Sequence, residues 1–217
     1  MSSDQDRRDF YSRIAAQYDQ TVVNDVRYEA HVIVPQRLIE LYGKPEARVL
    51  DLACGTGLGS LRFFEAGFDV VGVDYSSGMI NVAKTRPYVE LFCQSIEDEL
   101  PVADRSFDIV TALGVTEFIL DPAALLKRIW RALKDNGLCA LTVPKPTSAA
   151  AELKINTYAI DDFLNFIDQA DYRVLDQIEF YGWESGHLAK LDGREGDPHH
   201  RVDYVALFLE KKGHALS

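Results

Sequence analysis

From position 47 onward, short runs of consecutive apolar residues alternate with stretches in which apolar side chains recur every three or four positions. The runs at 47–53, 68–73, 88–93, 107–113 and 138–143 have strand length and composition. Between them, Leu58, Leu61 and Phe64, closed by Gly67, predict a helix over 58–66. A second helix is predicted over 77–86, where Pro87 stops it, and Asp121-Pro122 starts a third that runs to Lys134. Asn136-Gly137 then turns the chain into the fifth strand. These strands are apolar at successive positions rather than alternate ones, so both faces should be covered, as in a parallel sheet. Right-handed crossovers make such a β-α-β series doubly wound. Beyond the polar stretch 144–149, the pattern predicts a helix over 160–170 and strands over 172–180 and 202–210. Gly182, Gly186, Gly193, Gly196 and Pro198 leave no room for a helix between those two strands, which should therefore pair antiparallel. Two helices, 7–18 and 28–42, precede the alternating series. With no repeat, low-complexity tract or linker, the expectation is one α/β domain: a helical cap over 1–44 and a core over 45–212.

Composition narrows the function. The chain has 217 residues, 47% of them apolar, with 23 Lys and Arg against 34 Asp and Glu, so it carries a net charge of −11. Such a chain repels phosphate backbones unless its basic residues cluster, and here they are scattered, so no nucleic-acid partner is expected. Met1 to Phe10 hold no apolar leader, and the least charged stretch, 109–120, is too short to cross a bilayer and contains Glu117. The expectation is a cytoplasmic protein with no membrane partner. Cys54, Cys93 and Cys139 lie in apolar runs without C-x-x-C spacing and are expected to be buried, reduced thiols.

The chemistry concentrates at the end of the first strand, in Asp51-Leu52-Ala53-Cys54-Gly55-Thr56-Gly57-Leu58-Gly59. A glycine-rich turn between strand and helix lets a ligand approach the backbone and the helix N-terminus. Seventeen residues past Gly57 the second strand ends in Val71-Gly72-Val73-Asp74, which puts a carboxylate where the ribose of a bound nucleoside would lie. This pairing suits a nicotinamide dinucleotide or S-adenosylmethionine. The dinucleotide pattern G-x-G-x-x-G is broken by Ser60, and Asp51 would repel a pyrophosphate while attracting a ligand with an ammonium and a sulfonium.

In these motifs the sequence resembles the small-molecule branch of the class I S-adenosylmethionine-dependent methyltransferases. Residues 49–57 look like that family's first motif and residues 71–79 like its second. Ser106-Phe107-Asp108-Ile109-Val110 and the stretch 125–138 are similar to the segments leading into its fourth and fifth strands. The resemblance implies a Rossmann-like seven-stranded sheet in the order 3-2-1-4-5-7-6, strand 7 antiparallel, with helices on both faces. It also implies S-adenosylmethionine as cofactor. Gly55 and Gly57, beside Ala53, would face its methionine part, Asp51 would reach the amino group, and Asp74 would hold the ribose hydroxyls. Tyr75 and Met79 would flank adenine, with Ile96 over the ring and Ser95 where relatives carry a carboxylate. Leu113 and Gly114 would form the floor near the sulfonium. Tyr11 and Tyr18 resemble the N-terminal helix that closes over the cofactor.

Methyl transfer to a small-molecule O, N, C or S nucleophile is therefore the expected reaction. The alternatives are an NAD(P)-dependent oxidoreductase and a non-catalytic cofactor-binding subunit. The segment after the fourth strand, Leu113-Gly114-Val115-Thr116, lacks the Pro-Pro-aromatic signature of amino-methylating DNA enzymes. It also lacks a carboxylate at the strand tip to hold Mg²⁺, so no metal is expected. Phe118 stands where many relatives carry a histidine, so a base has to come from elsewhere. His199 and His200, in the acceptor-side loop 183–201, are the expected bases, with Glu117 as the alternative. His31 falls in the N-terminal helices and is expected to lie away from the active-site edge.

Overall fold

A computed structural model of the chain describes residues 4–26, 28–147, 155–184 and 201–212. Seven strands form one sheet: β1 (Arg48–Leu52), β2 (Asp69–Asp74), β3 (Glu90–Cys93), β4 (Phe107–Ala112), β5 (Leu133–Pro144), β6 (Tyr172–Glu184) and β7 (Arg201–Lys211). Their order is β3-β2-β1-β4-β5-β7-β6. The first five run parallel, and β7 pairs antiparallel with both β5 and β6. The order and the reversed last strand are those expected.

The continuous apolar runs have the expected cause. Leu50, Leu52, Val71, Val73 and Val110 turn to one face of the sheet, where Leu125, Leu126 and Ile129 of α5 (Pro122–Ala132) and Phe163 and Ile167 of α6 (Ile160–Gln169) cover them. Val49, Val70 and Ile109, one position out of phase, turn to the other face. There they meet Val34 and Leu38 of α2 (Ala30–Tyr42) and Phe63 of α3 (Leu61–Glu65). Alternate side chains of a strand point to opposite faces, so a sheet buried on both sides needs apolar residues at every position. Asp51 shares the parity of Val49 and is drawn into that second apolar layer.

The N-terminal helix α1 (Asp4–Gln20) docks on α4 (Ser77–Ala83) through Phe10, Ile14, Ala15 and Met79. The backbones come so close that a Cβ on Gly78 would fall 2.5 Å from the Ser12 carbonyl oxygen, so only glycine permits the contact. Ser12 and Ser76 join their hydroxyls across the same seam at 2.8 Å. The Asp121 side chain accepts from Ala124 N–H at the start of α5, as its position before Pro122 predicts. At the other end of α5 the buried Lys211 ammonium donates to the carbonyls of Trp130 and Leu133.

Local details differ from the pattern reading. The helix predicted over 58–66 is a 3₁₀ turn, Leu58–Ser60, followed by the single short helix α3. β5 enters the sheet at Leu133, opposite Phe107, and bulges before Leu138 pairs with Ile109. Asn136-Gly137 therefore sits in a bulge rather than before the strand, with Asn136 at φ +58°. Cys54 and Cys139 are buried free thiols as expected, but Cys93 is exposed, because β3 is the edge strand and pairs only with β2. Among the described residues no helix is long and apolar enough to cross a membrane.

Candidate functional site

The carboxyl ends of the parallel strands open into a cavity. Its walls are Ala53 and Gly55 after β1, Asp74 and Tyr75 at the tip of β2, and Met79 of α4. Ser95, Ile96 and Glu97 follow β3; Leu113, Gly114, Val115, Phe118 and Ile119 follow β4; Arg7, Tyr11 and Tyr18 of α1 close it. This is the crevice in which open α/β sheets hold ligands. A smaller cavity adjoins it beneath the glycine turn and shares Tyr18, Ala53, Gly55 and Leu113. To these it adds Tyr28 just before α2, His31 of α2 and Asp51 from β1.

Asp74 is 5% exposed. Its Oδ2 accepts from Gly55 N–H at 2.9 Å and its Oδ1 from Ser76 N–H at 2.8 Å, so the carboxylate ties the β2 tip to the glycine turn. Burial pushes its pKa up to about 6 against those two hydrogen bonds. Each oxygen keeps a lone pair for a further donor.

Asp51 is also buried, and its charge is met by three hydroxyls from distant parts of the chain. Ser60 Oγ and Tyr88 Oη donate to Oδ2 at 2.6 and 3.1 Å, and Thr111 Oγ1 donates to Oδ1 at 3.2 Å. Burial still raises its pKa. Ser60, which breaks the dinucleotide pattern, thus has a position-specific partner. The register explains Thr111, which lies beside Asp51 in the neighbouring strand.

Gly57, expected to face a ligand, lines neither cavity. It sits at φ +86°, and a Cβ there would fall 2.7 Å from the Tyr88 ring. Arg86 Nη1 donates to the Gly57 carbonyl, and its Nη2 pairs with Asp19 near the end of α1. Asp19 also accepts from the Thr56 hydroxyl. The glycine turn and the N-terminal helix are latched together by this network.

Glu117 is 3% exposed, in a 3₁₀ turn (Thr116–Phe118) after β4. Tyr204 Oη of β7 donates to its Oε1 at 2.8 Å, whereas the buried Oε2 has no hydrogen-bond partner. Burial pushes its pKa up to about 7, opposed by the Tyr204 hydroxyl. The carboxyl lies behind the cavity wall that its neighbours Val115 and Phe118 form, among tyrosines of which Tyr11, Tyr18, Tyr28 and Tyr204 are buried or cavity-lining. His199 and His200, with residues 185–200 of the expected acceptor-side loop 183–201, lie outside the described residues. His31 corrects the sequence reading: although it belongs to α2, the packing of that helix brings it to the wall of the smaller cavity.

The sequence reading also missed Arg7, Glu97, Val115 and Ile119 as cavity walls. Their only signal is position, in α1 or directly after a strand's carboxyl end. Among the described residues no cluster of His, Cys, Asp and Glu could hold a metal ion. The anionic groups, Asp51, Asp74 and Glu97, outnumber the lining cation Arg7 and are disposed to receive a cationic ligand.

A seven-stranded sheet with one reversed strand and a glycine turn after β1 define a Rossmann-like fold, a class of open α/β sheet that holds ligands at this edge. Residues 50–141 match the family model described as "Methyltransferase domain". The chain is 36% identical over 130 residues to the demethylmenaquinone methyltransferase of Renibacterium salmoninarum, a match that spans 58% of this chain and 54% of that protein. The chain thus spans about half the length of such relatives. Its fold superposes with a TM-score of 0.65 on the geranyl diphosphate C-methyltransferase of Streptomyces coelicolor, solved with S-adenosyl-L-homocysteine, at 14% identity over 82% of this chain and 75% of that one. It superposes at 0.61 on the [4+2]-cyclase SpnF, at 20% identity over 82% of this chain and 81% of that one. Over residues 50–141 the chain is thus similar to methyltransferase domains, and its fold is that of the structures described as methyltransferases.

Proposed function

We propose that this chain binds S-adenosylmethionine and transfers its methyl group to a small molecule. The observation that carries the reading is Asp74: a buried carboxylate at the β2 tip, bonded to the glycine turn and opening on the cavity with free lone pairs. Two ribose hydroxyls would donate to it, while Tyr75, Met79 and Ile96 offer an apolar slot for the adenine. The adjoining cavity leads past Ala53 and Gly55 to Asp51, which would draw in an ammonium. A dinucleotide fits less well, because its pyrophosphate would lie among Asp51 and Asp74 with Ser60 engaged elsewhere.

S-adenosylmethionine, when bound, supplies a methyl group activated by its positive sulfur. The protein's part is alignment and exclusion of water, which in favourable cases is worth about 7–11 kcal/mol. Leu113 and Gly114 form the floor and Val115, Phe118, Ile119 and Tyr11 an apolar wall against which a hydrophobic acceptor would lie. The relative named for demethylmenaquinone fits an apolar acceptor of this kind. For a hydroxyl or ammonium acceptor, Glu117 is the described group that would take the proton once the acceptor displaces the Val115–Phe118 wall in front of it, its Oε1 held by Tyr204 and its Oε2 unpartnered.

Mass spectrometry of the ligand retained on native purification tests the cofactor: S-adenosylhomocysteine or S-adenosylmethionine is expected, and NAD would overturn the reading. The similarity to a cyclase makes transfer itself a separate question. Label from methyl-tritiated S-adenosylmethionine should enter an apolar acceptor from a panel of phenols, quinols and amines. Tight cofactor binding with no transfer across the panel would favour the non-catalytic subunit.

A further inference from the structure

The smaller cavity holds an unbalanced set of charges for the ligand it would receive. An amino-acid end brings one ammonium and one carboxylate. Asp51 would answer the ammonium, but three donors of the glycine turn that could answer the carboxylate are already engaged. The Thr56 hydroxyl donates to Asp19, Gly55 N–H to Asp74 and Gly57 N–H to the Cys54 carbonyl. Arg86, close by, is held by Asp19 and the Gly57 carbonyl and does not line the cavity. Among the residues that do line it, His31 is the one side chain able to carry a positive charge. Its buried Nδ1 makes no hydrogen bond of good geometry.

We propose that His31 is the cation that holds the α-carboxylate of the cofactor's amino-acid end, and that it acquires its proton as the cofactor binds. The surroundings fit this timing. Burial holds the imidazole below its ordinary 6.5, aided by Arg62 of α3 and opposed by the Tyr28 carbonyl, Asp19 of α1 and Glu29 before α2. Asp51 lines the same cavity. In the free protein the ring is therefore mostly neutral at pH 7, and a carboxylate arriving beside it favours the imidazolium. A group whose pKa rises on binding takes up a proton, so affinity is highest at low pH and falls as pH rises through the bound-state value.

The inference rests on the reading of the site as one for S-adenosylmethionine, and the experiment separates the two. S-adenosylhomocysteine is titrated calorimetrically into the full chain at pH 7 in buffers of different ionisation enthalpy, which reports the protons exchanged. Its neutral thioether brings Glu117 no new charge partner, and Asp74, with a pKa of about 6, is mostly ionised at that pH. Net uptake of a fraction of a proton is expected, together with an affinity that declines from pH 6.5 to 8.5. In His31→Gln the uptake should vanish, the pH dependence should flatten and affinity at pH 6.5 should fall on the order of tenfold to a hundredfold, as for loss of one charge-assisted hydrogen bond. 5′-Methylthioadenosine, which lacks the amino-acid end, should bind both proteins alike and without proton uptake, which shows that the variant's fold is intact. Binding of S-adenosylhomocysteine without uptake, or with uptake retained in His31→Gln, overturns the role of His31 alone. Failure of the wild-type chain to bind either nucleoside overturns the cofactor reading and this inference with it.

Discussion

Replacing Glu117 by glutamine should make the protein progressively more stable relative to wild type as pH rises. Glu117 is 3% exposed, its Oε2 has no hydrogen-bond partner, and burial lifts its pKa from an ordinary 4.5 to about 7. The folded chain therefore holds this proton more tightly than the unfolded chain. The group favours the fold fully below pH 4.5, and that advantage is lost as pH rises through 7. At about 1.4 kcal/mol per pH unit the whole effect is about 3 kcal/mol, of which about 2.5 kcal/mol falls between pH 5 and pH 8. Glutamine keeps the shape, still accepts from Tyr204 through its amide oxygen and carries no charge. Asp74 contributes with the same sign between an ordinary 3.8 and about 6, but it is present in both proteins and cancels in their difference. Urea unfolding followed by circular dichroism at pH 5, 6, 7 and 8 gives the assay. The stability of Glu117→Gln relative to wild type should rise by about 2–3 kcal/mol across the series. A difference that stays constant within about 0.5 kcal/mol, inside the error of such extrapolations, would refute the reasoning, because Glu117 would then be ionised in the fold at no cost. If Glu117 also takes the acceptor's proton, the stabler variant should transfer methyl groups more slowly, as a group held for function at the expense of stability requires.

Asp74→Ala should weaken S-adenosylhomocysteine binding by about 2–5 kcal/mol, since two hydrogen bonds to a charged acceptor are lost; calorimetry checks this, and unchanged affinity with an intact thermal transition would remove Asp74 from the site. Lys211→Met should lower stability by about 2 kcal/mol, read as a fall of several degrees in Tm, because the buried carbonyls of Trp130 and Leu133 lose their donor. Methyl transfer, once an acceptor is known, should survive EDTA; loss restored by Mg²⁺ or Zn²⁺ would show that a site floor of Leu113 and Gly114 is the wrong assignment.

Much of this architecture is written in local pattern. Apolar residues at every strand position, as in Val49-Leu50 and Val70-Val71, require cover on both faces, and handed crossovers then leave little choice of topology. The glycines and proline of residues 182–198 disfavour a crossover helix, and the antiparallel pairing of β6 with β7 agrees with that expectation. The glycine turn and Asp74 stand out because each follows directly from the end of a strand. Other features depend on which distant segments the folded sheet sets side by side. Asp51 is tolerable because Ser60, Tyr88 and Thr111 converge on it, and nothing in the spacing of residues 51, 60, 88 and 111 indicates this. Cys93 reads as a core thiol until β3 is known to be the edge. Glu117 meets Tyr204 only because β7 lies beside β5, and His31 reaches the cavity only through the packing of α2. Period and turn chemistry are set by neighbours a few residues apart and so are determined by the sequence alone. The partner of a buried charge is set by sheet order, register and helix packing, and these exist only once the chain has closed on itself.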